Sequence, residues 1–284
     1  MAAGGDWPAI DAARRQAVPR VPLRWGADGA VIGRVAREHL GALRRWPRSL
    51  RVADDAVTLL AHDGLDEALA EVQQRLRDDG LIVAWRDEPF TLWHPRTMKP
   101  LATIERAAAR FWGTLTLGAH ANGVVAGAAG RPEAMWIAQR SFTKPTDPGK
   151  FDNLVGGGVP HGQTPHEALV REGWEEAGLD AAAMAAARAG RVIELQRDIP
   201  EGLQFERLHV WDLPLPPDVQ PRNQDGEVAA LRLLPLAEAV ELAAGDAMTV
   251  DAALVVLDFA LRHRVLDDAT HARLAARASA LWVG

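Results

Sequence analysis

The spacing of apolar residues changes along the chain, and with it the predicted elements. Residues 30–35 read as a short strand after the turn at Asp28 and Gly29, and residues 36–46 as a helix that stops at Pro47. Residues 57–60 form a further strand, and Leu65, Leu69, Val72 and Leu76 recur at helical spacing ahead of Gly80. From 115 to 125 and from 134 to 140 the pattern turns to strands around a Gly and Pro turn at 130–132. Residues 191–199 and 203–213 flank Pro200, Glu201 and Gly202 as the arms of a hairpin. A polar loop then leads to a strand and to a helix from Pro235, Leu254, Leu257 and Leu261 mark an amphipathic stripe, and residues 270–282 make a last helix. Short mixed units up to about residue 118 predict a small α+β domain over 1–118, with a second domain over 119–284.

The chain concentrates its chemistry in the stretch 156–179. Thr164, Pro165 and Glu167 spell a helix start, with a hydroxyl at the N-cap, proline in the first turn and a capping-box carboxylate three residues on. Gly178 closes the helix. Within it Val170, Trp174 and Ala177 fall on one apolar stripe, while Glu172, Glu175 and Glu176 crowd one turn. Like charges at this spacing destabilise a helix by about 0.2–0.5 kcal/mol per pair, unless a cation reverses the sign. Magnesium takes hard oxygen ligands and combines a few carboxylates with substrate phosphate oxygens. Glu172, Glu175 and Glu176 would supply the carboxylates, with a carbonyl from the glycine loop at 156–158; Asp225 or Glu227 of the later polar loop would complete the site, and a turn-capping Asp225 with an edge-strand Glu227 is the equally open structural reading. A solvated acidic face balanced by Arg171 is the bland alternative.

Composition narrows the class. Of 284 residues, 48% are hydrophobic and 25% charged, the balance of a soluble globular protein. A net charge of −6 gives no global field toward nucleic acid or anionic membrane, and neither is expected as a partner. The absence of cysteine removes disulfides, thiolate metal sites and cysteine nucleophiles. The start lacks a secretory signal pattern, so a cytoplasmic location is expected. Arginines around Trp46 (Arg44, Arg45, Arg48, Arg51) read as a solvated helix end, with phosphate or nucleic-acid binding the weaker alternative. Arg140 and Lys144 precede the glycine loop and are placed to reach a diphosphate; Lys150 is a weaker candidate.

The glycine loop and helix resemble the Nudix box, Gx5Ex7REUxEExGU with U apolar. Gly157, Arg171, Glu172, Glu175, Glu176, Gly178 and Leu179 match it; Gln163 stands where the pattern has its first glutamate, and Gly173 replaces the first apolar residue. The resemblance implies an α/β (α+β) Nudix α/β/α sandwich with a mixed sheet, and Mg²⁺-dependent hydrolysis of a phosphoanhydride, with Mn²⁺ as a substitute metal. Glu172, Glu175, Glu176 and Arg171 become the implied catalytic set, Arg140, Lys144, Gly157 and Gly158 the implied phosphate contacts, and Gly156, Glu172, Glu175, Glu176 and Glu227 the implied metal ligands. Residues 104–109, 140–158, 202–204 and 221–228 further resemble the thiamin pyrophosphokinase-related Nudix branch, which carries an extra N-terminal domain. That branch implies a small-molecule diphosphate substrate, an oxidised or damaged thiamin diphosphate cleaved to the monophosphate. ADP-ribose or a nucleoside di- or triphosphate is the alternative substrate, and a diphosphate-binding protein without activity is the non-enzyme alternative. A homodimer is compatible with all of these.

Overall fold

The computed structural model describes residues 6–144 and 146–283. Its N-terminal part opens with a helix α1 (Pro8–Ala12), then β1 (Arg20–Trp25), β2 (Val31–Ala36), a short α2 (Leu40–Leu43), β3 (Leu50–Val52), β4 (Val57–Leu59), α3 (Leu65–Asp78), β5 (Pro89–Trp93), β6 (Pro100–Glu105) and α4 (Arg106–Trp112). Four of these strands form a sheet in the order β2-β1-β4-β3, with β1 and β4 parallel, while β5 and β6 pair as a separate hairpin. Leu69, Val72 and Leu76 of α3 enter the core of this part beside Leu23, Ile32 and Phe111, as their spacing predicted. The expected helix over 36–46 is shorter. Ala36 stays extended because it pairs with Arg20 across the β1–β2 ladder, leaving one 3-10 turn and the four residues of α2. Arg44 and Arg45 reach Asp54 and Asp79 at the surface, with Arg45 stacked over Trp46.

The second part is a mixed sheet between helices. It runs through β7 (Leu115–Ala126), β8 (Pro132–Arg140), β9 (Phe151–Asn153), β10 (Val155–Gly158), α5 (Pro165–Ala177), α6 (Ala181–Met184), β11 (Arg188–Ile199), β12 (Gly202–Pro214), β13 (Val228–Pro235), α7 (Leu236–Ala243), α8 (Val250–Arg262), α9 (Asp268–Ala278) and β14 (Trp282–Val283). The strand order is β13-β8-β7-β12-β11-β14, with β10 added to β7 and β9 to β8. Only β7 and β12 run parallel among the long pairs; the others are antiparallel. Alternation along the pleat sends Leu117, Ala119 and Ala121 to the α5 side. Val124, Leu208 and Val210 go to the side covered by α7, α8 and α9. Two buried layers therefore flank one sheet, the α/β/α sandwich expected. Residues 7–13 pack on this second core: Trp7 is fully buried and its indole N–H donates to the Ala253 carbonyl at 3.0 Å. Among the described residues, no helix is long and apolar enough to cross a membrane.

Helix α5 carries the signals read from the sequence. The Thr164 hydroxyl accepts from the Glu167 N–H at 3.3 Å, the Glu167 carboxylate accepts from the Thr164 N–H at 2.8 Å, and Gly178 ends the helix at φ 65°. The predicted stripe holds in part. Ala177 is buried and Val170 packs partly buried against the core, but Ala168, Leu169, Gly173 and Glu176 complete the buried face and Trp174 is 55% exposed. Gly173 is explained by contact: a Cβ there would lie 2.6 Å from the Met184 sulfur of α6. Gly173→Ala gains about 1 kcal/mol of helix propensity but overfills this contact at a cost of about 1–3 kcal/mol. We expect the net effect to be destabilising, visible as a lower melting temperature; a higher one would mean Met184 yields without cost.

Candidate functional site

The glycine strand and α5 face each other. β10 pairs with β7, placing Gly156 opposite His120. Below it, the Gly156 N–H donates to Glu176 Oε2 at 2.8 Å. Glu172 approaches the next residue so closely that a Cβ on Gly157 would meet its Oε1 at 2.0 Å, which requires glycine at this position if the carboxylate is to stay. Arg171 holds the group together. Its guanidinium donates to Glu172 Oε1 at 2.9 Å and Glu175 Oε2 at 2.7 Å, and it reaches the Gly158 carbonyl and Gln163 Oε1 at 3.5 Å each. The amide of Gln163 thus takes a long contact where the Nudix pattern has a carboxylate.

Glu176 is only 6% exposed, and burial pushes its pKa well up, with the nearby Glu172 adding to the rise and Lys144 opposing it. Burial also raises Glu172, against the pull of Arg171. Lys144 lies 2.6 Å from Glu227 Oε2 and 3.9 Å from Glu176 Oε1, so the loop after β8 and the loop before β13 both arrive at the end of α5. Asp225 turns that second loop by accepting from the Glu227 N–H at 2.8 Å. Lys150 instead pairs with Asp147.

These residues suit a hard divalent cation by donor chemistry. Glu176 is a buried and Glu172 a partly buried oxygen donor; Glu172 adds to the upward shift of Glu176 and Glu175 to that of Glu172, and a dication would offset both the repulsion and the burial penalty. Among the described residues no three acidic or histidine side chains stand together as a ready ligand set, because Arg171 and Lys144 now lie against the carboxylates. Glu172, Glu176, the half-exposed Glu175 and the backbone of Gly156 are the groups that would hold the ion; Glu227 reaches the cluster through Lys144.

A cleft of about 170 Å³ opens in front of the glycine strand, between the N-terminal part and the sheet. Arg140 lines it, with its guanidinium fixed by Asp152 at 2.9 Å and by the Thr146 carbonyl at 3.0 Å. Gly156, Gly157 and Gly158 line it as well. Several lining residues were not singled out from the sequence: Arg110 from α4, His120 from β7, Glu206 from β12 and Asp251 from α8, while Arg106 of α4 and Gln204 of β12 lay within the resembling stretches 104–109 and 202–204 without a named role. Arg106 pairs with Glu88 at 2.8 Å and its guanidinium carbon would sit 3.5 Å from a Cβ on Gly158. Arg110 pairs with Glu206 at 2.8 Å. Arg106 and Arg110 are four apart in a run that reads as helix, so their shared face was a usable signal; the others become neighbours only through the tertiary fold.

Residues 117–253 match the NUDIX domain model, and residues 15–116 match a domain of unknown function, DUF4743. The chain carries a NUDIX domain. Nudix hydrolase 24, chloroplastic, of Arabidopsis thaliana is 36% identical over 200 residues, covering 70% of this chain and 54% of that protein. Nudix hydrolase 20, chloroplastic, of the same plant is 37% identical over 200 residues, covering 69% of this chain and 52% of that protein. The chain therefore spans about half the length of these relatives. A Deinococcus radiodurans protein of solved structure aligns at 24% identity and a TM-score of 0.46, covering 60% of this chain and 98% of its own.

Proposed function

We propose that the chain is a Nudix phosphoanhydride hydrolase, dependent on a divalent metal and on Mg²⁺ by preference, that converts oxidised or damaged thiamin diphosphates to the monophosphate. One observation carries this reading. Three of the four stretches that resemble the thiamin-related branch, far apart in sequence, line one cleft: 104–109 brings Arg106, 140–158 brings Arg140 and the glycines, and 202–204 brings Gln204, while 221–228 brings Glu227 against Lys144 next to Glu176 beneath the glycine strand. Under the same reading, the N-terminal domain over 1–118 is a working part of the site, because α4 supplies Arg106 and Arg110 to the cleft wall.

The residues have separable tasks. Arg106 and Arg140 present guanidinium groups beside the glycine strand, where phosphate oxygens would be held by charge and by geometry. Gly157 and Gly158 let the backbone approach without a side chain in the way. Arg171 fixes the rotamers of Glu172 and Glu175 so that the carboxylates are oriented before substrate arrives. A carboxylate raised above its ordinary pKa, as Glu172 and Glu176 are, is a stronger base toward an attacking water than an exposed glutamate. When bound, magnesium would neutralise the phosphate oxygens and acidify a water.

The test is a Mg²⁺-dependent hydrolysis screen over thiamin diphosphate, its oxidised analogues, ADP-ribose and nucleoside diphosphates. Oxidised thiamin diphosphates are expected to give the highest kcat/KM. A preference of about tenfold or more for ADP-ribose or a nucleotide, about 1.4 kcal/mol in transition-state stabilisation, would overturn the thiamin assignment. No metal-dependent release from any of them would favour a diphosphate-binding protein without activity.

A further inference from the structure

A line of buried polar side chains runs from Asp212 on β12, beside α8, to His120 on β7, and His120 lines the cleft opposite Gly156. The far end sets its direction. The Asp212 carboxylate is clamped by Arg262 at 2.6 and 2.9 Å and stays ionised, so it can only accept. The Val255 carbonyl can only accept as well. Both lie 3.4 Å from the same atom of Asn122, which is therefore its amide nitrogen. Asn122 Oδ1 then accepts from Asn153 Nδ2 at 3.1 Å, and Asn153 Oδ1 is left to face His120 Nδ1 at 3.1 Å. An amide oxygen needs a donor, so Nδ1 carries the proton and Nε2 of the neutral ring carries the lone pair. His120 Nε2 has no hydrogen-bond partner among the described residues, and it is not one of the atoms sealed from solvent without a partner, so its open side is the cleft that the ring lines. Arg106, Arg110, Arg140 and Arg197 line the same cleft. Ionised phosphate oxygens accept only; these guanidinium groups match them, and a bare lone pair repels them. What satisfies Nε2 is a donor, and it has to come from the part of the substrate that is not phosphate.

We propose that His120 is a specificity residue, held in its Nδ1–H form by Asn153, Asn122 and Asp212, and that its Nε2 accepts a hydrogen bond from an N–H or O–H group in the organic half of the substrate. The inference rests on the reading of the cleft as a diphosphate site, and it adds a chemical requirement on the group attached to the diphosphate. Asn153 and Asn122 are positioning residues, acting through the ring. Thiamin diphosphate offers an amino group, and ADP an amino group and hydroxyls. Isopentenyl diphosphate has a hydrocarbon tail and offers neither.

The test uses the full chain without added divalent metal, so that turnover does not enter, at about pH 8, above the ordinary histidine range. With ¹⁵N-labelled histidine and ring signals assigned through the backbone, NMR is expected to show His120 with hydrogen on Nδ1, the less common form of a free imidazole. Adding thiamin diphosphate or ADP should shift the Nε2 signal, and isopentenyl diphosphate should not. By calorimetry, His120→Phe is expected to bind the tighter of the two donor-bearing diphosphates about tenfold more weakly, and isopentenyl diphosphate within about twofold of the wild type. Asn153→Leu removes the acceptor behind the ring. It is expected to abolish the Nδ1–H pattern and to weaken the same donor-bearing ligand, whereas a structural role for Asn153 would lower the melting temperature and leave the ring pattern unchanged. Hydrogen on Nε2 in the free wild-type chain, an equal response of Nε2 to all three ligands or to none, or unchanged affinity in His120→Phe overturns the proposal. The NMR titration of the wild type carries the test if the variants do not fold. A chain that binds none of the three and releases no phosphate from any diphosphate with Mg²⁺ loses the diphosphate reading as well; one that binds all three with the same Nε2 response loses only this proposal.

Discussion

Replacing Glu176 by glutamine is expected to lower kcat for diphosphate hydrolysis at least about a hundredfold, about 2.7 kcal/mol, while the metal-free chain melts at an unchanged or higher temperature. The two expectations come from the same local facts. Glu176 is buried, accepts from the Gly156 N–H at 2.8 Å and has its pKa pushed well up by burial and by Glu172, so its charge costs the fold something in the absence of a cation. Glutamine is nearly isosteric, keeps an oxygen for Gly156 and removes that charge. During reaction the same charge would act on the phosphate end of the cleft, where negative charge develops and where attraction is strongest in a site that excludes water. A structural role alone gives the opposite pattern, with activity intact and only stability moved. Steady-state kinetics at saturating Mg²⁺ and a melting curve in chelator therefore separate the two, and near-wild-type turnover would remove Glu176 from the catalytic set.

Local signals were legible where the physics is local. The caps of α5 depend on residues within one turn, and Thr164, Pro165, Glu167 and Gly178 form them as the sequence predicts. The strands of the second part were legible for the same reason, since the hairpin arms and the run through β7 carry their own period. What failed needed neighbours. Trp174 matches an apolar stripe, yet the face of α5 that meets the sheet is set by Leu169 and Ala177 against β7 and β10, and the tryptophan is left outside. Gly173 reads as a helix weakness until Met184 is seen against it. Arg110, Gln204 and Asp251 lie on three separate elements, α4, β12 and α8, and only the tertiary fold brings them to one cleft. Residues 7–13 look like the start of the N-terminal domain, but Trp7 finds its buried partner on α8.

A second large effect concerns the support beneath the sheet. Arg262→Met is expected to destabilise the chain by about 3–5 kcal/mol near neutral pH, the usual result of removing one partner from a buried ion pair. Arg262 Nε donates to Asp258 Oδ2 at 2.6 Å, and its other two nitrogens clamp Asp212 at 2.6 and 2.9 Å. Asp258 is 0% exposed, so the methionine variant leaves a buried carboxylate with only Arg191 at 3.4 Å. The pH dependence identifies the cause. Burial by itself would raise the pKa of Asp212, but hydrogen bonds from Arg262, His263 and Asn122 outweigh it and leave the group below its ordinary value. In the wild type this stabilisation is fully present above the ordinary carboxylate pKa of about 4 and is lost as pH falls through the lowered one. Without Arg262 the burial penalty dominates, Asp212 moves upward, and the variant loses stability as pH rises from acid instead. The gap between the two proteins in urea unfolding should therefore widen from pH 3 to pH 7. A gap of constant size across that range would mean that Arg262 contributes through packing of its side chain rather than through its charge.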